Sequence, residues 1–439
     1  NSRMKNYLWQ EEGDQVDQAI SEFTAGEDVL LDRQLFLFDI RATAAHVRGL
    51  ERIGILEHRE STRLCSLLNQ LSQEFESGDF VLDERFEDGH SAIEFYLTEK
   101  AGSAGAKVHT GRSRNDQVSV ATRLYLKDRL VQLAGLCGRI AAACLDKAEA
   151  DPDLPMPGYT HLQRAVPSSS GLWLGAFAEA FTDNLVFAKS VSRVIDSSPL
   201  GTAAGYGVNL PLDREGVAGE LGFDRLQINP MYAQNSRGKF EIMALQAALH
   251  AMQDVRRLAW DLSLFTTSEF GFVTLPRQYI TGSSIMPNKF NPDVVELLRA
   301  RAATPEAAIT EIQSVLSLPS GYQRDLQLTK APLIRGMEAS LQALSIVPAL
   351  VGGVAFNEER MRAAISDDMY ATDIALEQAA AGVPFREAYL AAKKKLDELE
   401  APDAAASLAQ RVSPGACADL RLEQIRERLE LEMAAVQGG

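Results

Sequence analysis

Proline is unevenly distributed along this chain of 439 residues, and the gaps between prolines limit the folds it can adopt. No proline precedes Pro152, and further gaps lie between Pro167 and Pro199 and between Pro230 and Pro276. Because proline disrupts the interior of a helix, these gaps leave room for long uninterrupted helices. They predict a mainly helical protein.

The proline-poor segments also carry apolar residues at helical spacing. In the first of them the stripe runs through Leu126, Leu130 and Leu133, which is the period of one helix face. The segments with this pattern cover residues 117–150, 168–195, about 238–265, and a stretch that begins at Pro292, with later pieces reaching about residue 356. Long consecutive helices predict a bundle, and because period-2 alternation is scarce we expect few strands.

We therefore predict an all-α fold with three mostly helical domains. Residues 1–111 would form an N-terminal helical domain, 112–356 a central long-helix bundle, and 357–439 a small C-terminal helical domain. The central helices carry apolar and small residues on more than one side, for example at Leu172 and Gly175. A helix that is apolar on several sides must bury more than one of them, so we expect the bundle to pack against other subunits.

The charge balance argues against nucleic acid as a partner. Sixty acidic and forty-four basic side chains give a net charge of −16, whereas a broad nucleic-acid footprint requires a basic surface. Four cysteines in a chain of this length do not form a disulfide scaffold. Neither they nor the six histidines show metal-ligand spacing, so we expect no metal site.

A membrane protein is also not predicted. The longest apolar run, around residues 344–356, is short and is interrupted by Pro348 and two glycines. No amino-terminal signal region is recognisable. We expect a cytoplasmic protein.

The segment Gly282-Ser-Ser-Ile-Met-Pro-Asn-Lys-Phe-Asn-Pro292 is the richest in potential chemistry. Ser283, Ser284, Lys289 and Asn291 place hydroxyls, an ammonium and an amide in one short irregular stretch. Such a loop suits a reaction that gathers negative charge on a carboxylate while a proton leaves the neighbouring carbon. The alternative is a connection that only precedes a helix.

The end of that segment is typical of a helix start. Asn291 is a favourable cap residue, Pro292 suits the first helical position, and Asp293 places an acid in the first turn. We therefore expect the loop to face the positive end of a helix.

A second polar segment, His109-Thr-Gly-Arg-Ser-Arg-Asn-Asp-Gln117, precedes the longest predicted helix. Arg112, Ser113, Arg114 and Asn115 offer hydrogen-bond donors where that helix begins, an arrangement that binds anions. A capped helix start with solvated arginines is an equally good interpretation.

A third polar segment is Tyr159-Thr-His-Leu-Gln163. His161 is the side chain best suited to exchange protons near neutrality, because its free pKa is about 6.5, although a lone histidine is more often structural. Glu296, on the helix predicted after residue 292, is a plausible partner to orient and charge it.

Two further segments contain candidate ligand-binding groups. In Glu87-Asp-Gly-His90 the histidine would either hydrogen-bond a ligand or cap a turn. Tyr322-Gln-Arg-Asp-Leu-Gln327, followed by Lys330, would reach back over a site.

Together these segments resemble one family. Residues 282–292 resemble the signature of the fumarase/aspartase superfamily, and residues 109–117 resemble the segment typical of its argininosuccinate lyases. The other motifs that fit in the same order are Glu87-Asp-Gly-His90, Tyr159-Thr-His-Leu-Gln-Arg164, Ser198-Pro-Leu-Gly201, Glu269-Phe-Gly-Phe-Val273 and residues 322–330. The resemblance covers about residues 35–387.

The resemblance implies an activity and an assembly. Members of this family cleave argininosuccinate reversibly into arginine and fumarate and use neither a metal nor an organic cofactor. They are homotetramers with a core of long helices, and each active site draws segments from three subunits. Small-molecule substrate and other copies of the chain are therefore the expected partners.

The resemblance also assigns catalytic roles by motif. Ser283 would be the general base that removes a proton from the carbon next to a succinyl carboxylate, and Lys289 and Asn291 would hold that carboxylate. Thr160 and His161 would serve the leaving-group side, with Glu296 paired to His161. The proton donor to the departing guanidine stays open between Thr160, His161 and a water between them.

The remaining site residues would bind substrate. By motif these are Ser113, Arg114, Asn115, Tyr322, Gln327 and Lys330, with His90 lining the site.

The chain departs from the family pattern at three places. Trp9-Gln-Glu-Glu-Gly13 replaces Trp-Gly-Gly-Arg-Phe, Thr24-Ala-Gly26 replaces Asn-Ala-Ser, and Asn235-Ser-Arg-Gly-Lys-Phe240 replaces Ser-Asp-Arg-Asp-Phe. These changes affect how the amino-acid end of the substrate would be held. The alternatives are a related carbon–nitrogen lyase acting on another N-substituted aspartate, or a structural homologue without activity.

Overall fold

The computed structural model of the chain describes residues 18–399 and 403–437. The departure at Trp9–Gly13 lies outside the described residues. Helices dominate, and the predicted all-α class is confirmed. Of the predicted long helices, those at 117–150, 168–195 and 238–265 are found within three residues of the expected boundaries.

The helices in the first half of the described chain are α1 (Gln18–Ala25), α2 (Asp28–Leu31), α3 (Phe36–Arg52), α4 (His58–Ser77), α5 (Gly89–Ala101), α6 (Ser103–Ala106), α7 (Arg114–Ala150), α8 (Ser170–Ile195), α9 (Arg214–Glu220) and α10 (Pro230–Asn235). Those in the second half are α11 (Lys239–Phe265), α12 (Asp293–Arg301), α13 (Ala303–Val315), α14 (Lys330–Gly353), α15 (Glu358–Ala363), α16 (Ala371–Ala380), α17 (Phe385–Lys394), α18 (Ala404–Gln410) and α19 (Leu422–Gln437).

The strands are short and pair two by two. They are β1 (Pro155–Thr160), β2 (Gln163–Ser169), β3 (Ser197–Ser198), β4 (Arg225–Leu226), β5 (Val273–Thr274), β6 (Thr281–Gly282), β7 (Phe290–Asn291) and β8 (Ala355–Phe356). β3 and β4 are parallel, whereas β1 with β2, β5 with β8 and β6 with β7 are antiparallel.

The stretch predicted to begin a long helix at Pro292 is instead divided into α12 and α13. Pro305 lies in the first turn of α13. Its nitrogen carries no hydrogen for the carbonyl four residues earlier, so an uninterrupted helix would lose a bond there. The break falls at Ala302, between the two helices.

The chain forms two compact units. Among the described residues, unit 1 comprises 18–131, Lys189–Ala247 and Thr304–Glu338, and unit 2 comprises Gln132–Ala188, Ala248–Ala303, 339–399 and 403–437. These boundaries differ from the predicted three-domain division, which stays a prediction.

Unit 1 has a core built on α3, α4 and α5. Phe36, Ile40 and Leu50 of α3 are buried against Leu64 and Leu68 of α4. Their spacing of three to four residues or multiples of it puts the apolar side chains of each helix on one face. The opposite face of α3 is buried as well. There the alanines of α3 pack in a second cluster with residues of α7 and α9.

The helices of unit 1 have clear ends. Glu57 and Glu60 form a capping box at the start of α4, and Gly78 ends that helix with a φ of 84°. Asp88 caps α5 by accepting a hydrogen bond from the backbone N–H of Ser91. This cap fixes the start of α5, where His90 lies.

Unit 2 contains the β1–β2 hairpin, which contacts α15 and α18. α16 and α17 pack together through Ala375, Ala388 and Ala392. No helix within residues 18–399 and 403–437 combines the length and apolar character that crossing a bilayer requires.

Candidate active site

All but one of the residues predicted to bind substrate lie in unit 1 around one cavity of about 580 Å³, and the exception, Asn291, belongs to unit 2. This volume is within the range of small-molecule sites. The residues that line the cavity include His90, Ser113, Arg114, Asn115, Tyr322, Gln327 and Lys330. The structure therefore brings together segments from three distant parts of the sequence.

Hydrogen bonds between side chains and backbone N–H groups cap the start of α7. The Oγ of Ser113 accepts a hydrogen bond from the N–H of Asn115 at 3.2 Å, and Asp116 Oδ1 accepts one from the N–H of Ser113 at 2.8 Å. The other carboxylate oxygen of Asp116 accepts from Gly201 and Ala203 at 2.9 and 3.0 Å. Asp116 is fully buried and so fixes Ser113 and Asn115 at the cavity wall.

Arg114 is tied to the start of α5. Its Nη1 donates to Glu87 Oε2 at 2.9 Å and its Nη2 donates to Ser91 Oγ at 3.0 Å. The guanidinium also lies 3.3 Å from an oxygen of Asp88. These contacts hold Arg114 in place, in contrast to the solvated arginine of the alternative interpretation.

His90 forms a buried ion pair with Asp39. The imidazole Nδ1 lies 2.5 Å from Asp39 Oδ2, and Gln117 donates to the other oxygen of Asp39 at 3.0 Å. Burial disfavours the charged imidazole, but the Asp39 carboxylate outweighs that effect and raises the pKa of His90 to about 9. His90 therefore places a cation at the cavity wall at neutral pH.

Lys330 is held by two carboxylates. Its Nζ donates to Asp28 Oδ1 at 2.7 Å and to Asp32 Oδ1 at 2.6 Å. Burial opposes the charge, but these carboxylates raise the pKa of Lys330 above its ordinary value. Asp32 also accepts from the N–H of Gly89 at 2.8 Å, so the lysine is linked to the start of α5.

The 3₁₀ turn Arg324–Thr329 precedes α14 and closes another side of the cavity. Gln327 Nε2 donates to the carbonyl of Thr24 at 3.0 Å. The guanidinium of Arg237 lies over the ring of Tyr322, 5.5 Å from its centroid.

Thr160 and His161 lie in unit 2, at the end of the β1–β2 hairpin, and both are exposed. The two-residue turn consists of His161 and Leu162, each with a φ of 56°. Positive φ at both central residues defines a type I′ turn, which ordinarily uses Asn or Gly. A leucine in this conformation is strained, and backbone strain of this kind clusters at functional sites.

The loop of Ser283 is the turn of the β6–β7 hairpin in unit 2. Ser283 Oγ accepts hydrogen bonds from the N–H groups of Ile285 at 3.3 Å and Met286 at 3.0 Å. Lys289 is exposed and Asn291 is half-buried. Two apolar side chains of the loop are solvent-exposed, Ile285 at 82% and Phe290 at 73%.

The predicted cap at Asn291 is wrong. Asn291 belongs to β7, α12 begins at Asp293, and Pro292 occupies the cap position without a side-chain hydrogen bond. Pairing of Asn291 with Thr281 extends the backbone there. The Asp293 carboxylate instead accepts a hydrogen bond from the hydroxyl of Thr281, so it ties the base of the loop to α12.

Glu296 is exposed on α12. Within the described part of this single chain, no hydrogen bond or ion pair joins it to His161. Their pairing stays a prediction.

Sequence reasoning missed the acids that hold the cavity's cations, namely Asp28, Asp32 and Asp39. Each lies in a short N-terminal segment where an acid is usually solvated. Asp32 and Asp39 are seven residues apart and both are buried. Their burial beside one site would have identified them, but the sequence alone does not show which acids are buried. No group of three or more His, Cys, Asp or Glu side chains in the described residues is arranged to hold a metal ion.

Comparisons with known proteins agree with the motifs. A family model described as lyase matches residues 11–304. The chain is 57% identical over 426 residues to an argininosuccinate lyase of Stenotrophomonas maltophilia, with 97% of this chain and 99% of that protein covered. It is 56% identical over 428 residues to an argininosuccinate lyase of Xanthomonas campestris pv. campestris, with the same coverage.

The fold is shared with solved lyase structures. A crystal structure of EDDS lyase in complex with formate superimposes with a TM-score of 0.82 at 24% identity, and the match covers 97% of this chain and 93% of that one. The family predicted from the motifs is thus confirmed: the chain belongs to the argininosuccinate lyase family of the fumarase/aspartase superfamily.

Proposed function

We propose that this chain catalyses the reversible β-elimination of argininosuccinate to arginine and fumarate, as in arginine biosynthesis. The observation that carries the proposal is 57% identity over 97% of the chain to a relative with that activity in its name. The order of the motifs around residues 87–90, 109–117, 159–164, 282–292 and 322–330 supports it.

Ser283 is the proposed base. Its oxygen takes the proton from the carbon next to the succinyl carboxylate. The electron pair of that C–H bond forms the double bond of fumarate as the C–N bond breaks and its pair leaves with the guanidine nitrogen. A serine hydroxyl is a weak base, so its alkoxide needs stabilisation. The N–H groups of Ile285 and Met286, which donate to Ser283 Oγ, supply part of it.

Lys289 and Asn291 would hold the succinyl carboxylate as it gains charge. Both lie on the same hairpin as Ser283, so closure of that loop would deliver the base and the charge-stabilising groups together. The exposed Ile285 and Phe290 support such a closure, because they would leave water when the loop packs on a partner surface.

Thr160 and His161 would serve the leaving group, with Glu296 orienting His161. Guanidines are strongly basic, as the pKa of arginine above about 12 shows, so a proton must be supplied or retained as the bond breaks. The strained turn at His161 and Leu162 supports a functional hairpin end.

The unit 1 cavity would bind the rest of the substrate. His90, Ser113, Arg114, Asn115, Tyr322, Gln327 and Lys330 supply cationic and polar groups there. The protonated His90 and Arg114 would attract the carboxylates of an anionic substrate.

We further propose a homotetramer in which each site combines the unit 1 cavity of one subunit with the hairpins of others. Leu172, Phe187 and Trp260 of the long helices α8 and α11 are 36–50% exposed, and large apolar side chains on such helices favour burial against another copy. The three-domain division, cytoplasmic location and independence from metals and cofactors belong to the same proposal.

The test is to mix the purified protein with argininosuccinate and follow the ultraviolet absorbance of fumarate. We expect fumarate and arginine to appear in equal amounts. Turnover of another N-substituted aspartate with no signal from argininosuccinate would identify a related lyase instead. Absence of any lyase activity would favour a structural homologue.

A further inference from the structure

Most charged groups at the wall of the unit 1 cavity already have partners. Arg114 is bound to Glu87 and Ser91, and Lys330 is bound to Asp28 and Asp32. These pairs order the cavity, and each acidic partner offsets part of the charge of its cation. A charged substrate end is therefore held most firmly by charged atoms that have no hydrogen-bond partner within the protein.

Glu241 and Arg237 each contain one such atom. Both line the cavity, Glu241 is only 8% exposed, and neither Glu241 Oε2 nor Arg237 Nη1 has a hydrogen-bond partner although both atoms are buried. Buried polar atoms without partners are uncommon and destabilising. A carboxylate oxygen and a guanidinium nitrogen left in this state at a cavity wall indicate a ligand that carries the complementary charges.

The electrostatics agree with this interpretation. Burial raises the pKa of Glu241, and backbone hydrogen bonds from Glu241 and Gly238, together with the guanidinium groups of Arg123 and Arg237, offset that rise only in part. Burial likewise lowers the pKa of Arg237. A cation placed against Glu241 and an anion placed against Arg237 would each favour the charged form of its partner.

The local backbone is built to place these residues. Gly238, between Arg237 and the first residue of α11, has a φ of 83°. A Cβ on it would lie 2.4 Å from the Leu316 side chain, so both its conformation and its surroundings require glycine. This Arg-Gly-Lys-Phe-Glu stretch overlaps the segment where the chain departs from the common family pattern.

We propose that Glu241 and Arg237 recognise the α-ammonium and the α-carboxylate, respectively, of the amino-acid end of the substrate. The inference rests on the proposed function and deepens it. The amino-acid end carries these two opposite charges and takes no part in the bond cleavage, so its recognition sets affinity and specificity.

If Glu241 only capped α11, its replacement by glutamine would not change substrate binding. It occupies the third position of α11, where Glu or Gln serves equally to cap the helix start. Glu241→Gln would therefore preserve the cap and remove the charge. Glu60→Gln is the matched control, because Glu60 occupies the same position of α4, caps it, and does not line the cavity.

We expect Glu241→Gln to raise the KM for argininosuccinate by roughly tenfold to a hundredfold, the cost of a lost charge-assisted bond, and by more than it lowers kcat. Glu60→Gln should leave KM unchanged. An active Glu241→Gln variant with the KM of the original chain would overturn the inference. An original chain without argininosuccinate activity would instead refute the proposed function, on which the inference rests.

Two product analogues test the pairing of charges with residues. We expect arginine to inhibit the original chain at least tenfold better than 5-guanidinopentanoate, which lacks the ammonium, and agmatine, which lacks the carboxylate. Glu241→Gln should abolish the preference over 5-guanidinopentanoate, and Arg237→Gln the preference over agmatine. Equal inhibition of the original chain by all three compounds would contradict the assignment.

Discussion

The Nδ1 atom of His90 lies 2.5 Å from Oδ2 of Asp39, and both side chains are buried at the start of α5 and in α3. The pair joins two helices of the unit 1 core and places a protonated imidazole at the wall of the candidate site. It therefore couples the stability of this unit to pH.

The pH dependence of unfolding tests this pair. The pKa of His90 is raised from 6.5 to about 9 in the folded chain. A raised pKa stabilises the fold fully below about pH 6.5, and this stabilisation disappears as the pH rises through 9. We expect a loss on the order of 3 kcal/mol between these limits from this group. Urea unfolding at pH 6.5 and 9.5 measures it.

His90→Asn should reduce that pH dependence. The control is His58→Asn, because His58 forms a similar contact with Glu51 at 2.7 Å but is 85% exposed. Exposed pairs contribute little, so the control should retain the pH dependence of the original chain. Equal pH dependence in His90→Asn and the original chain would exclude the Asp39 pair as its source.

Asp116→Asn should destabilise unit 1. The buried carboxylate accepts hydrogen bonds from the N–H groups of Ser113, Gly201 and Ala203. In asparagine an NH2 group replaces one of the two carboxylate oxygens, so the backbone N–H groups at that position would face another hydrogen-bond donor. We expect a loss of about 2–4 kcal/mol by denaturant unfolding. Asp213→Asn, at the more exposed cap of α9, should lose about 1 kcal/mol or less. Equal losses would contradict the role of burial.

The long helices were predictable from the sequence because they depend on local rules. The proline gaps and apolar spacing predicted α7, α8 and α11 to within three residues of their ends. The break at Ala302 was missed because Pro305 is acceptable in the first turn of a helix and so does not by itself indicate that a helix starts there.

The electrostatics of the site were less predictable. Lys330 and Asp28 are 302 residues apart in the sequence, and no local pattern indicates that an acid will pair across such a distance. The same holds for Glu241, which a sequence pattern describes only as a favourable residue near a helix start. The motifs predicted which polar residues share a cavity; only the structure shows which of them are already neutralised.

Ser283→Ala tests the proposed base. We expect turnover of argininosuccinate to fall by roughly 100-fold or more, because no other group is proposed to take the proton. The melting temperature should change little, since Ser283 Oγ bonds only within its own loop. The neighbouring Ser284→Ala should have a loss at least about tenfold smaller. Unchanged turnover in Ser283→Ala would remove Ser283 as the base.

Leu162→Gly tests the strain in the hairpin turn. Glycine adopts the positive φ of this position without a Cβ clash, so we expect stability to rise by about 1 kcal/mol. Turnover should fall, because a more flexible turn would hold Thr160 and His161 less well. Leu162→Ala removes the side chain and keeps the strain. A gain in Leu162→Ala equal to that in Leu162→Gly would show that strain is not the cause.

Co-expression of Ser283→Ala with Gln327→Ala, followed by fumarate release from argininosuccinate, tests the shared catalytic site most directly. If the serine and the glutamine of one site come from different subunits, random mixing leaves roughly a quarter of the sites with both original residues. We expect each variant alone to be nearly inactive and the mixture to recover roughly a quarter of the original activity. A mixture no more active than the separate variants would contradict a site assembled from several subunits.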